Sequence, residues 1–232
     1  PDQWTWDPEI AYNYELGMKS EWLDNTLRLN GAIFLTTFED FQVSQSVPAA
    51  VAVLVSNAAE VEAKGIELEF TALLSDNFTL DGSATYVQSE YTDYAAAPCA
   101  YSTQPGCVGG VQDLTGETLD HAPELSFNLG AEYRDSLVAL NGVEWFGRLD
   151  VVYKDDQNLY VLLPDETEQG AYALWNARIG LDATDSWKLT LWGRNLADEE
   201  YLSSTDFAGT GANLEQIPAL PRTYGVTADW YF

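Results

Sequence analysis

Apolar and polar side chains alternate along most of the chain, as in Tyr14-Glu15-Leu16 and the residues on either side of it. A period of two is typical of a β-strand with one apolar and one polar face, and the helical period is almost absent. The sequence therefore predicts an all-β, antiparallel fold with nine strands, at residues 10–22, 27–36, 66–71, 78–86, 125–133, 143–153, 173–183, 187–196 and 223–232.

Most of these predicted strands are ten to fifteen residues long, whereas strands of soluble domains average about five or six residues. A tilted strand needs about nine to eleven residues to cross a bilayer, with apolar side chains toward lipid and polar ones toward the lumen. The longest apolar stretch, Val47 to Val55, is too short for a membrane helix and contains Pro48. Because backbone groups in lipid must all be paired, we predict a transmembrane β-barrel.

The connections between strands alternate in length, as in barrels with short periplasmic turns and long outer loops. Short links lie near residues 24–25, 75–76, 135–141 and 184–186, and long links lie at roughly 41–60, 92–121, 155–171 and 197–221. If Phe232 lies at the periplasmic rim, every long link is an outer loop. Bacterial single-chain barrels normally have an even strand number. Nine strands therefore predict an incomplete barrel, in which residues 1–8, with Trp4 and Trp6, end an outer loop.

Aromatic side chains cluster near the ends of the predicted strands. Tryptophan and tyrosine favour the two membrane interfaces, where the ring is in lipid and the polar atom is in water. The outer group comprises Tyr12, Tyr14, Tyr86, Tyr153, Trp175 and Tyr224. The inner group comprises Trp22, Phe78, Trp145, Trp187 and Trp230. The sequence thus predicts two aromatic girdles.

The chain is strongly acidic, with 37 Asp and Glu against 10 Lys and Arg and a formal net charge of −27. This charge repels a phosphate backbone, so nucleic acid is excluded as a partner. It fits a surface that faces water and lipopolysaccharide-bound cations. The two cysteines, Cys99 and Cys107, lie in a Gly/Pro-rich loop and predict a disulfide in an oxidising compartment, with reactive thiols as the alternative.

No catalytic or metal-binding constellation stands out. The single histidine, His121, has no serine, cysteine or ligand partner at a telling spacing, so we predict no catalysis, no cofactor and no metal site. The acidic runs at 155–156 and 198–200 fit solvated loops, the alternative being a divalent ion or an acid/base pair.

Two C-terminal motifs carry a family resemblance. The run Asn195-Leu196-Ala197-Asp198-Glu199-Glu200-Tyr201, the later Pro221-Arg222-Thr223-Tyr224-Gly225 and a final Phe232 resemble the last two strands of TonB-dependent receptors. Upstream, residues 14–23, 63–69 and 122–128 look like that family's barrel strands, in its order.

The resemblance implies a 22-stranded barrel around an N-terminal plug, of which this chain matches about nine strands near the C-terminus and neither plug nor TonB box. It implies that outer loops bind an iron-siderophore complex, cobalamin or a saccharide, and that the TonB complex pulls on the plug. It also implies recognition by the barrel assembly machinery through the terminal strand residues Tyr224, Val226, Ala228, Trp230 and Phe232.

The function predicted on this basis is TonB-linked uptake of a scarce nutrient, an iron-siderophore-type complex, across the outer membrane. The alternatives are a passive porin or barrel anchor, and a soluble β-sandwich binding protein. Five outer-loop aromatics are candidates either for ligand contact or for packing the loops together: Tyr91, Tyr94, Tyr101, Tyr160 and Phe207.

Overall fold

The computed structural model describes residues 6–47, 52–101, 103–140, 142–163, 167–207 and 214–232. Trp4, predicted to belong to the end of an outer loop, lies outside these residues. The strands are β1 (Ile10–Trp22), β2 (Leu27–Val47), β3 (Ala52–Ser75), β4 (Phe78–Asp93), β5 (Ala97–Pro98), β6 (Val111–Gln112), β7 (Leu125–Ser136), β8 (Glu144–Lys154), β9 (Gln157–Asn158), β10 (Glu168–Gln169), β11 (Tyr172–Asp182), β12 (Trp187–Arg194), β13 (Leu202–Phe207), β14 (Leu214–Pro218) and β15 (Thr223–Trp230).

Nine of these strands form one antiparallel sheet in the order β1-β2-β3-β4-β7-β8-β11-β12-β15, which confirms the nine predicted strands. The other six form two-stranded pairs within the long connections, β5 with β6, β9 with β10 and β13 with β14. Among the described residues, no helix is long and apolar enough to span a membrane.

The register places apolar side chains opposite one another across the whole sheet. Leu16 pairs with Ile33 and Ile33 with Ile66 in the first strands, and Leu191 pairs with Val226 in the last ones. This apolar face is open: Leu16 is 71% exposed and Val226 is 66% exposed. A soluble β-sandwich would cover such a face with a second layer, and none lies on it within the described residues.

Four short turns lie at one end of the nine-stranded sheet, which we call the turn end. They span residues 23–26, 76–77, 137–143 and 183–186. Three long connections, at residues 94–124, 155–171 and 195–222, lie at the opposite end, the loop end. The strands β2 and β3 are also joined at this end, but Val47 and Ala52 are separated by only four residues. The predicted segregation of connections by length is therefore confirmed for three of the four predicted outer loops. At the turn end, Trp187 pairs with Trp230, and the rings of Tyr133 and Trp145 lie 5.3 Å apart, as expected for an inner aromatic girdle.

The predicted outer loop at residues 41–60 is wrong, because most of that segment is strand. β2 extends to Val47 and β3 begins at Ala52, and the two pair throughout, with register shifts near Phe38 and Phe41. The alternation at Phe41-Gln42-Val43-Ser44 lasts only four residues, and the Val-rich and Ala-rich run at 47–55 has no polar partners, so the period-two signal is weak across the segment. Continuous backbone pairing and β-branched side chains still favour strand there.

Candidate ligand-binding face and outer loops

The polar face of the sheet, opposite the apolar face, contains a network of ion pairs across neighbouring strands. Arg148 on β8 donates to both carboxylate oxygens of Asp81 on β4, at 2.6 and 2.8 Å, and to Asp150 at 2.8 Å. β7 lies between β4 and β8, so the guanidinium group crosses over it at Gly130, which pairs with Asp81 and with Asp150. A methyl group on Gly130 would collide with this guanidinium group. The glycine thus leaves the space that the guanidinium group occupies.

A second cluster on the polar face surrounds the ring of Phe146, which is only 2% exposed. The Arg134 guanidinium lies 5.1 Å from the ring centroid, and the Lys188 ammonium lies 4.9 Å from it. Both cations also contact Asp182, with Nη1 and Nζ each 3.4 Å from Oδ2. The ring also covers Gly180 on the neighbouring strand. The cluster therefore joins β7, β8, β11 and β12 near the turn end.

Two grooves on the polar face differ in the sign of their charges. One, of about 650 Å³, is lined by four cations, Arg134, Arg178, Lys188 and Arg194, and by two carboxylates. The other, of about 920 Å³, is lined by four carboxylates, Glu15, Glu67, Glu69 and Asp81, and by one cation, Lys19. The polar face is thus acidic beside β1 to β4 and more basic beside β7 to β12.

At the loop end, the polar face gives way to a buried apolar cluster, the loop core. It comprises Val43, Ala59, Val61, Tyr91, Tyr94, Ala97, Leu114, Val161 and Leu162, with Phe38, Phe41, Ala100, Leu119 and Tyr160 packed against them. Strand alternation places Val61 on the same face as Glu67 and Glu69. The outer connections therefore fold toward the polar face and contact one another there.

Cys99 and Cys107 form a disulfide, with their Cα atoms 5.9 Å apart, in the 94–124 loop. Of the five candidate aromatics, Tyr91 lies on β4 and not in the predicted outer loop, because β4 extends to Asp93. Tyr91 and Tyr94 are 5% and 2% exposed in the loop core. Their burial favours the packing role.

Tyr101 and Tyr160 are half-buried. Phe207 pairs with Leu214 through its backbone, and its side chain is outside the described part of the structure. Ligand contact by all five aromatics remains a prediction.

No group of three or more His, Cys, Asp or Glu residues in the described ranges is arranged to hold a metal ion. Burial raises the pKa of Asp120, although the Val161 amide donates to its carboxylate. The Thr115 backbone and hydroxyl groups lower the pKa of Asp113. These shifts arise from loop packing and turn hydrogen bonds.

Residues 7–196 match the family model described as TonB dependent receptor-like, beta-barrel. The chain belongs to the TonB-dependent receptor family. It is part of the wall of an outer-membrane β-barrel, and its open apolar face suits contact with lipid.

Relatives of this receptor chain include the ferric-pyoverdine M114 receptor PbuA of Pseudomonas sp. (strain M114), 28% identical over 89% of this chain and 23% of the relative. The probable TonB-dependent siderophore receptor PiuA of Acinetobacter baumannii is 28% identical over 85% of this chain and 24% of the relative. The crystal structure of the ferric yersiniabactin uptake receptor FyuA from Yersinia pestis has the same fold, with a TM-score of 0.70 at 20% identity, over 95% of this chain and 29% of that one. The chain thus spans about a quarter of the length of its curated relatives.

The receptor motif that begins at Asn195 closes the two ends of the loop between β12 and β15. The Asn195 side chain accepts from the Glu199 amide at 2.8 Å and donates to the Glu199 carbonyl at 2.9 Å. Asp198 accepts from the Arg222 amide at 2.9 Å and forms an ion pair with its guanidinium at 3.3 Å. Asn195 and Asp198 have positive φ angles of 50° and 59°, which Asn and Asp tolerate better than most residues. The motif therefore holds the base of this receptor loop.

The predicted assembly signal lies on the last strand of the receptor chain. Tyr224, Val226 and Trp230 are exposed on the apolar face, and Ala228 shares that face between them. β15 ends at Trp230, so Phe232 follows the strand. The structure shows this placement only, and recognition by the assembly machinery remains a prediction.

Sequence reasoning missed the bridge between Arg148 and Asp81 because the two residues are 67 positions apart. They appear in the sequence only as polar-face positions of separate strands. The sequence does hold one signal: Asp81 and Arg148 lie on two strands on either side of β7, which carries a glycine on the same face. This signal can be used only when the register of β7 with both neighbouring strands is known.

Proposed function

We propose that the receptor takes up a scarce nutrient by energised, TonB-linked transport, and that the nutrient is an iron-siderophore-type complex. The observation that carries this proposal is the family match over residues 7–196 on a sheet whose open apolar face suits lipid. The names of its relatives support the cargo: a ferric-pyoverdine receptor, a siderophore receptor and a ferric yersiniabactin uptake receptor.

The described sheet serves as the C-terminal part of the barrel wall in this proposal. The rest of the receptor supplies about thirteen further strands and a plug, through which the TonB complex acts. The polar face lines the lumen, because its charged groups, such as Arg148 and Asp81, are stabilised there and not in lipid. The receptor performs no catalysis in this scheme.

The loop end provides the outer surface of the receptor. Tyr101, Tyr160 and Phe207 contact the nutrient ligand, whereas the burial of Tyr91 and Tyr94 suits them to support the loops. Outer-membrane lipid and lipopolysaccharide surround the apolar face and its aromatic girdles. The terminal strand, Thr223–Trp230, with Phe232, is read by the barrel assembly machinery.

The test is growth and radiolabelled iron uptake in an outer-membrane host that lacks its own siderophore receptors. The full-length receptor gene is expected to restore growth on at least one ferric siderophore, with ferric pyoverdine and ferric yersiniabactin tried first. An isogenic host without TonB should show no restoration. Uptake that persists without TonB would establish a passive porin instead, and growth on no ferric complex would refute the cargo.

A further inference from the structure

Two buried glutamines of the 94–124 loop converge on one backbone carbonyl of the 155–171 loop. Gln104 and Gln112 are 7% and 8% exposed. Gln104 donates to the Leu162 carbonyl at 2.6 Å and Gln112 donates to it at 3.1 Å. Gln104 also donates to the Gln112 side-chain oxygen at 2.7 Å. The two amides therefore act together as a polar contact inside an apolar cluster.

The other polar atoms of this pair are also satisfied, by backbone groups of their own loop. The Gln104 side-chain oxygen accepts from the Ala100 amide at 2.9 Å, and Gln112 donates to the Pro98 carbonyl at 3.0 Å. A buried amide that loses its partner is destabilising, so displacement of the 155–171 loop would leave several polar groups unpaired. The pair thus favours one relative position of the two loops.

Apolar packing and backbone bonds hold the loops in the same relative position. Val161 and Leu162 are buried in the loop core with Tyr94 and Leu114 of the other loop. The His121 amide donates to the Asn158 carbonyl at 2.9 Å. The contact therefore extends from one end of the 155–171 loop to its middle.

The disulfide lies within the segment that presents Gln104. Cys99 and Cys107 enclose Gln104 in sequence, and the Cys99 amide donates to the Gly110 carbonyl at 3.1 Å. A covalent link across such a short segment limits the conformations available to it. The position of the Gln104 amide thus depends on the disulfide.

We propose that Gln104 and Gln112 are positioning residues that join the 94–124 and 155–171 loops into one body, with the Cys99–Cys107 disulfide holding Gln104 in place. The joined loops form a fixed part of the ligand-binding wall, in place of two independent flexible loops. The consequence for ligand affinity rests on the proposed function, but the joining of the loops does not.

Hydrogen exchange in the full-length receptor in detergent tests the joining directly. Gln104→Met and Gln112→Met keep side-chain length and remove the amide, and Gln88→Met, at an exposed position of β4, is the matched control. Each loop variant should speed exchange in the 155–171 loop by about tenfold, the factor expected from loss of roughly one net hydrogen bond. Gln88→Met should leave that loop unchanged, and slow exchange in β7 and β8 reports that a variant has folded.

The serine double variant Cys99→Ser/Cys107→Ser should likewise speed exchange in the 155–171 loop. Faster exchange confined to residues 97–112 in all three loop variants would overturn the proposal. In uptake, Gln104→Met should raise KM for the ferric complex and leave the maximal rate unchanged. If the parent receptor carries no ferric complex, the proposed function fails, and the exchange experiment still decides whether the loops are joined.

Discussion

Replacing Gly130 with alanine tests whether the bridge between Arg148 and Asp81 stabilises the barrel wall. The added methyl group would occupy the space of the Arg148 guanidinium and would lie 2.9 Å from an Asp81 carboxylate oxygen. The backbone of β7 is fixed by its pairing with β4 on one side and β8 on the other, so the guanidinium group must move. The substitution is therefore expected to break both hydrogen bonds from Arg148 to Asp81.

The expected loss follows from the exposure of the pair. Hydrogen bonds to charged groups contribute about 1.5 to 3 kcal/mol, and ion pairs lose strength as they become exposed. The side chains of Arg148 and Asp81 are 17% and 32% exposed. We therefore expect Gly130→Ala to lower the free energy of unfolding by about 2 kcal/mol. With Arg148→Met already present, the flexible side chain can make room, and the same alanine should cost less than about 0.5 kcal/mol.

Urea titration of the full-length receptor in detergent, followed by tryptophan fluorescence, gives the four free energies of this cycle. Gly147→Ala on β8 is the matched control, since its new methyl group would meet only Trp145, at 3.9 Å. That variant should be within about 0.5 kcal/mol of the parent. An equal loss for Gly130→Ala with and without Arg148 would show that the methyl group disturbs the backbone, and would refute the role assigned to the bridge.

Four further substitutions, one of them a control, test other parts of the structure. Leu68→Lys on the apolar face should destabilise the barrel by about 2 to 4 kcal/mol, whereas Thr85→Lys on the polar face should have little effect, as refolding into lipid vesicles would show. Asn195→Ala should lower the unfolding free energy by about 1 to 2 kcal/mol in urea, because two backbone groups lose their partner. Because the pKa of Asp120 is raised in the folded state, its carboxyl group contributes stability at low pH, and this stability is lost as the pH rises through the folded-state pKa. Asp120→Asn keeps the side chain neutral, so it should slow hydrogen exchange of the Val161 amide at pH 7. Below about pH 4, where the carboxyl group is protonated, the variant should match the parent.

The nine strands and their faces were predictable because one period governs each strand. Leu68 and Thr85 fall on opposite faces by counting alone, and the observed register agrees, with Leu68 opposite Ala84 and Thr85 opposite Glu67. Lipid adds a second constraint, since it requires long strands and an apolar side on each one. Two independent constraints on the same residues make the pattern difficult to mistake.

The contacts of the site depend on distances along the chain that periodicity does not encode. Gln104 and Leu162 are 58 residues apart, and their contact requires two irregular loops to fold against each other. Polar side chains in a loop are ordinarily read as solvated, and the sequence holds no sign that Gln104 and Gln112 are buried. The strand at residues 41–47 was missed for another reason, since its backbone pairing continues to Val47 although its side chains alternate for only four residues, from Phe41 to Ser44.

The two faces of β3 exchange polarity near the loop end, and this exchange links the barrel wall to the loop core. On the apolar face, Ile66 is followed toward the loop end by Lys64 and Glu62, which form an ion pair at 3.0 Å. On the polar face, Glu67 is followed beyond Gly65 by Val61, which is 1% exposed in the loop core. Charged groups on the lipid-facing side of the sheet require water, and apolar groups on its lumen-facing side require a cover of other protein groups. Both changes occur within a few residues, which predicts that the hydrocarbon layer ends between Ile66 and Lys64. The 94–124 loop contributes Tyr94, Ala97 and Leu114 to the cluster that covers Val61.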